Sequence, residues 1–184
     1  MTAKQIEKLM VPADENAEYA YSFNIDISTI ETTVAEPGDT QNGRPLSEIV
    51  KQHIQVNKAY LGSCTHGTPE DLKQAAEILK GKKTADGVTL FIQASSVRNL
   101  EEAQRQGYVK DLIDAGAQLL PIGCGACMNA GPGSTEEGEI GIFATNRNFP
   151  GRTGKGKTYL ASPAVVAASA IKGFICGPKD LETT

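Results

Sequence analysis

Tryptophan is absent from this 184-residue chain, tyrosine and phenylalanine number five each, and histidine occurs twice. Cysteine is nearly as scarce, with four thiols. Four cysteines in a chain of this size make no disulfide framework, which points to a reducing, cytoplasmic setting. No apolar run is long enough to span a bilayer. The first ten residues lack the apolar segment of a secretory signal. Basic charge is not in excess either, since the formal net charge is −4. That leaves no electrostatic footprint for nucleic acid or an anionic membrane surface.

What the chain does have is glycine, 19 residues of it, concentrated at 123–138 and 151–156. Glycine so dense suggests backbone held close to something bound. Apolar residues make up 40% and charged residues 22%, ordinary values for a globular protein. The length suffices for one domain with a real core. The expected organisation is a lead-in arm over 1–20 and a single α/β domain over 21–184.

The pattern along the chain supports that division. Ile6, Leu9 and Met10 fit a marginal helix. Residues 21–28 alternate apolar and polar, which predicts a strand with one wet face. Residues 37–45 read as a turn-rich loop, and 46–53 as a short helix. From Lys58 onward strands and helices alternate. Strands are expected at 59–62, 88–92, 118–122, 139–144 and 158–161. Thr68 caps a helix with Pro69 at its first position and Glu70 and Asp71 in its first turn. Leu72, Ala75, Ala76 and Leu79 form its apolar stripe, and Gly81 stops it. Ser96 caps a helix ending at Gly107, a shorter helix ends at Gly116, and an alanine-rich helix runs over 164–172. Such alternation predicts an α/β layer with a mostly parallel sheet and flanking helices. Ligands bind such sheets beyond the carboxyl ends of the strands. Cys64, Cys124 and the Asn146-Arg147 pair all follow predicted strand ends.

Cys124 and Cys127 are two residues apart in a glycine-rich turn, a spacing that lets both sulfurs reach one metal centre or each other. Spacing alone leaves four readings open: an iron–sulfur ligand set with Cys64, a zinc site, a redox pair, or structural cysteines. A redox pair wants a helix opening at its first cysteine, and no helical pattern follows here before Gly138. Zinc would need Cys176 or a histidine, and only His53 and His66 exist. Three thiols suit a cluster with one open iron. Cys176 by itself reads as a small buried hydrophobe. His66, two residues after Cys64, reads as a hydrogen-bonded support. Residues 146–152 carry two arginines and two amides that could bind carboxylates through the arginine fork, or form a solvated turn. Residues 151–158 formally match G-x-x-x-x-G-K-[ST], the phosphate-binding loop. That loop needs a strand before it and a helix after it, and Pro150 and Pro163 deny both.

Taken in order, Gly-Ser-Cys-Thr-His-Gly at 62–67, Gly-Cys-Gly-Ala-Cys at 123–127, Thr-Asn-Arg-Asn-Phe-Pro-Gly-Arg at 145–152 and Leu-Ala-Ser-Pro-Ala at 160–164 form a set. The set resembles the aconitase superfamily, and most of all the C-terminal domain of the 3-isopropylmalate dehydratase large subunit. The resemblance runs over about 14–178. It implies a [4Fe–4S] cluster held by Cys64, Cys124 and Cys127, with Asn146, Arg147 and Arg152 at the active site. It implies a hydro-lyase that isomerises a small hydroxy-polycarboxylic acid by dehydration and rehydration, and through the isopropylmalate likeness a place in leucine biosynthesis. His66 stands where the family usually has asparagine. The family's two preceding domains and its swivelling domain with the catalytic base have no counterpart here. The chain is therefore expected to be a truncated or split large subunit that works with partner chains. The alternative is a non-catalytic metal-binding module that kept the fold.

Overall fold

The computed structural model describes residues 2–182, which fall into two units, one up to Ile30 and one from Glu31 onward. The first unit holds a single short helix, α1 (Ala3–Glu7), whose Gln5 Oε1 accepts from Thr2 N at 2.8 Å. The strand expected at 21–28 does not form: Tyr21, Phe23, Ile25 and Ile27 stand 72–81% exposed. Alternation of this kind favours a strand only when a neighbouring strand takes its hydrogen bonds and covers one face. Among the described residues of this unit there is no other strand. A 3-10 turn, Ile27–Thr29, forms instead, with Asp26 Oδ1 accepting from Ser28 N and Oγ. Those bonds, the side-chain one first, hold the Asp26 carboxyl below its usual range.

The second unit follows the expected alternation closely. Its elements are β1 (Thr33–Ala35), β2 (Gly43–Pro45), α2 (Leu46–Ile49), β3 (Lys58–Gly62), α3 (Ser63–His66), α4 (Pro69–Leu79), β4 (Thr89–Gln93), α5 (Val97–Arg105), α6 (Tyr108–Asp114), β5 (Gln118–Leu119), β6 (Ile140–Ala144), β7 (Lys157–Leu160) and α7 (Pro163–Lys172). The caps explain the boundaries. Thr68 and Asp71 exchange hydrogen bonds at the start of α4, and Ser96 and Ser162 accept from the amides of Asn99 and Val165. Gly173, at φ 81°, closes α7. β5 is shorter than expected because Pro121 has no N–H to continue the ladder, although Leu120 N still donates to Ile92 O.

The seven strands form one sheet in the order β2-β1-β7-β6-β3-β4-β5. The five strands from β7 to β5 run parallel, and the β1–β2 hairpin lies antiparallel on one edge. Side chains alternate between two apolar clusters. Ala59, Leu61, Leu90, Ile92, Ile142 and Ala144 pack with the buried faces of α4 to α7. Tyr60, Phe91, Phe143 and Leu160 point the other way and pack with Ala126 of the cysteine loop. Both faces of the parallel strands are thus covered, which is why they read as continuous apolar runs. No helix among the described residues is long and apolar enough to cross a membrane.

Candidate metal centre

Cys64 sits in α3, directly beyond the end of β3. Gly62 and Ser63 both have positive φ, 128° and 65°, and so turn the chain sharply off the sheet. A Cβ on Gly62 would lie 1.9 Å from Gln93 O, so only glycine allows this approach. The turn leaves Cys64 exposed. His66 is tied back, with Nδ1 3.4 Å from Asp71 Oδ1 at the start of α4. Asp71 also completes the cap of that helix, so the histidine is joined to the helix end that follows the cysteine turn.

The second pair of thiols follows β5. Gly125–Met128 is a 3-10 turn that Cys124 begins, with Cys127 N donating to Cys124 O at 3.1 Å. Cys124 is exposed and Cys127 is buried. The Cys127 thiol donates to Asn146 Oδ1 at 3.6 Å, and Arg152 Nη2 lies 3.8 Å from the same sulfur. Asn146 and Arg152 come from the loop after β6. The structure therefore brings together Cys127, Asn146 and Arg152, all beyond the carboxyl ends of parallel strands. Arg147 is exposed, with Nη1 bonded to the Asn146 carbonyl at 2.8 Å. Arg152 is half-buried, its guanidinium 5.8 Å from the centre of the Phe149 ring.

Not every candidate joins this group. Asn148 is buried, and its amide donates to Glu36 O and Thr158 O, anchoring the loop to β1 and β7. That amide is spent on backbone carbonyls and is no carboxylate ligand. Cys176 is fully buried beyond α7, where burial first, then the Asp180 charge, pushes its thiol up to about 12. The formal phosphate-loop match runs into β7, a strand, and its amides are already used: Lys155 N donates to Thr135 O and Gly156 N to Thr135 Oγ1. A cavity of about 320 Å³ lies beside this segment, lined by Gly38, Asn148, Phe149 and Thr158 among others, but by none of the cysteines.

Two residues that the sequence pattern did not single out join the cysteine turns. Tyr60 is fully buried and stacks on Phe143 at 5.2 Å. Its hydroxyl donates to Gln93 Oε1 at 2.7 Å, and Gln93 Nε2 donates to Pro121 O at 2.5 Å. Burial first, then the Cys127 charge, pushes the Tyr60 phenol up to about 12, so it stays a donor. Gln93 ends β4 and is 2% exposed.

Among the described residues no three His, Cys, Asp or Glu side chains converge closely enough to hold one metal ion. A cubane cluster places each thiolate on a different iron, so its ligands stand farther apart than those of one ion. The donor chemistry fits such a group: three free thiols with no carboxylate among them. Ser63 Oγ, Thr145 Oγ1 and Arg152 Nε are also buried without partners, each on or next to a candidate residue.

This combination is an α/β domain with a mostly parallel sheet that carries thiols and an Asn-Arg loop at its carboxyl edge. Residues 48–173 match the model of the aconitase family (aconitate hydratase), and the chain belongs to that family. It is 48% identical over 174 residues to the mitochondrial homoaconitase of Cryptococcus neoformans var. neoformans serotype D, covering 94% of this chain and 24% of that protein. It is 44% identical over 182 residues to the mitochondrial homoaconitase of Mycosarcoma maydis, covering 98% and 25%. With that of Debaryomyces hansenii it shares 44% over 183 residues, covering 98% and 27%. The chain thus spans about a quarter of the length of the curated relatives it matches.

Proposed function

We propose that this chain is the cluster-bearing domain of an aconitase-type hydro-lyase, with Cys64, Cys124 and Cys127 holding a [4Fe–4S] cluster. The observation that carries the reading is the meeting of Cys127 with Asn146 and Arg152. It joins a thiol ligand to the polar groups that would handle a carboxylate substrate. The chemistry such a cluster supplies when bound is Lewis acidity toward a leaving hydroxyl.

The chain's own residues then have separate tasks. Asn146 orients its amide at the Cys127 sulfur. Arg152 places its guanidinium beside that sulfur. Arg147, exposed and held by its Nη1 bond to the Asn146 carbonyl, turns its fork to a substrate carboxylate. The matched relatives are about four times as long as this chain, and the base that removes the substrate proton is assigned to domains outside this chain or to a partner chain.

The substrate is a small hydroxy-polycarboxylic acid. The relatives' names favour a homoaconitase-type reaction over the 3-isopropylmalate type expected from the motifs, and leucine biosynthesis is not carried further. The compartment is a reducing one, in keeping with four free cysteines. A mitochondrial matrix meets that need as well as the cytoplasm does, and the relatives are named as mitochondrial.

Anaerobic reconstitution with iron and sulfide tests the reading. Wild-type protein should take up iron and acid-labile sulfide with a broad visible absorbance, and Cys64→Ser and Cys124→Ser should each abolish it. A wild type that binds no cluster, or binds it regardless of Cys64, would return the chain to the reading of a non-catalytic metal-binding module.

A further inference from the structure

Gln93 touches both cysteine turns. Its backbone packs under the Cys64 turn. Cβ atoms built on Gly62 and Gly67, the residues bracketing that turn, would lie 1.9 and 2.6 Å from Gln93 O. Ser95, two residues on, also donates to Gly67 O from both its amide and its hydroxyl. The Gln93 side chain reaches the other way. Its Nε2 holds Pro121 O, its Oε1 receives the Tyr60 hydroxyl, and a Cβ on Gly125 would lie 2.7 Å from that hydroxyl and 3.2 Å from Nε2. The Tyr60 ring in turn fills the space beneath Gly133, with a Cβ there 3.0 Å from the ring. The cysteine loop is thus pinned at Pro121, Gly125 and Gly133 by one buried pair, Tyr60 and Gln93.

We propose that the Gln93 side chain is the positioning device that sets the Cys124/Cys127 loop against the Cys64 turn; this rests on the cluster reading above. A buried amide with both its donor and its acceptor engaged has one low-energy orientation, because leaving either group unpaired costs its desolvation. It therefore fixes a distance that an apolar side chain of the same size would leave loose. The division of labour is specific. The backbone of Gln93 braces Cys64, and only its side chain braces the loop.

The test uses the four cysteines as reporters in the cluster-free protein, with alkylation by iodoacetamide followed residue by residue by mass spectrometry. In Gln93→Leu the loop loses its anchor at Pro121, and Cys127 should alkylate roughly 5–30-fold faster. Cys64, braced by backbone, should keep its rate. Cys176, buried on the far side of the sheet, should stay protected. Iron and sulfide retained after reconstitution should fall in parallel. If Gln93→Leu does not fold, Tyr60→Phe, which removes only the phenol oxygen, carries the same test. Cys127 and Cys176 speeding up together would mean general loosening and would overturn the proposal, as would an unchanged Cys127. A wild type that takes no cluster would defeat the functional reading by a separate measurement.

Discussion

Arg152 Nη2 lies 3.8 Å from Cys127 Sγ, although 25 positions separate the two residues. The contact joins the loop after β6 to the loop after β5, and the guanidinium packs at the same time over Phe149. Arg152→Ala should therefore uncover Cys127. The expected result is a cluster-free protein about 1–2 kcal/mol less stable, with Cys127 open to alkylation and less iron retained after reconstitution. Arg152→Lys keeps the charge but not the fork, and should recover stability better than iron retention. An alkylation map in which Cys127 stays closed in Arg152→Ala would rule this out.

Gly62→Ala should be among the most damaging single-methyl changes in the chain. The new Cβ would meet Gln93 O at 1.9 Å, and φ at this position is 128°. Backbone strain and overpacking each cost of order 1–3 kcal/mol, so a loss of about 3 kcal/mol or more is expected in denaturant unfolding. Gly81→Ala is the control. Its φ is 72° but its Cβ would meet nothing within 4 Å, and it should cost only about 1 kcal/mol.

The buried Cys176 thiol gives a pH dependence of known sign. Its usual value is 9.0 and the fold raises it to about 12. Between those values the unfolded chain has lost the proton and the folded chain keeps it. The thiol's contribution to stability is therefore complete below pH 9 and lost as pH rises toward 12. Cys176→Ala should flatten the alkaline limb of a stability–pH curve over that window while leaving cluster uptake intact. Tyr60 adds a loss of the same sign above its usual 10.0. An identical alkaline limb in the variant would refute the assignment.

Magnesium ATP at millimolar concentration should leave the melting temperature unchanged. Residues 151–158 carry the letters of a phosphate loop, but the amides of Lys155 and Gly156 are already bonded to Thr135. A clear upward shift, absent in Lys157→Ala, would contradict that reading.

The parallel strands and the helices α4, α5 and α7 were legible because their signals are local. Thr68, Ser96 and Ser162 mark the starts, and Leu72 through Leu79 mark a face. Cys127, Asn146 and Arg152 meet because parallel strands deliver their loops to one edge. Residues 21–28 misled because alternation records a preference for a half-buried face without saying whether a neighbour exists to bury it. Asn148 looked like a ligand because an amide beside arginines has the same letter whether it meets substrate or backbone. Gln93 was invisible for a related reason: its role depends on residues 28 to 33 positions away, and nothing near it in the chain marks it.

The sheet's second face has an uneven cover. Helices seal one side, but Tyr60, Phe91 and Phe143 are roofed by the glycine-rich loop that carries Cys124 and Cys127. Damage to those thiols would therefore be more than a loss of chemistry. Unroofing the aromatics creates a sticky surface of the kind that chaperones and proteases survey. Oxidant exposure of the isolated chain should then raise the fluorescence of an apolar-surface dye before any helix content is lost. In this fold the condition of the cysteine loop and the fate of the polypeptide are linked, because a chemically spent molecule carries an altered surface.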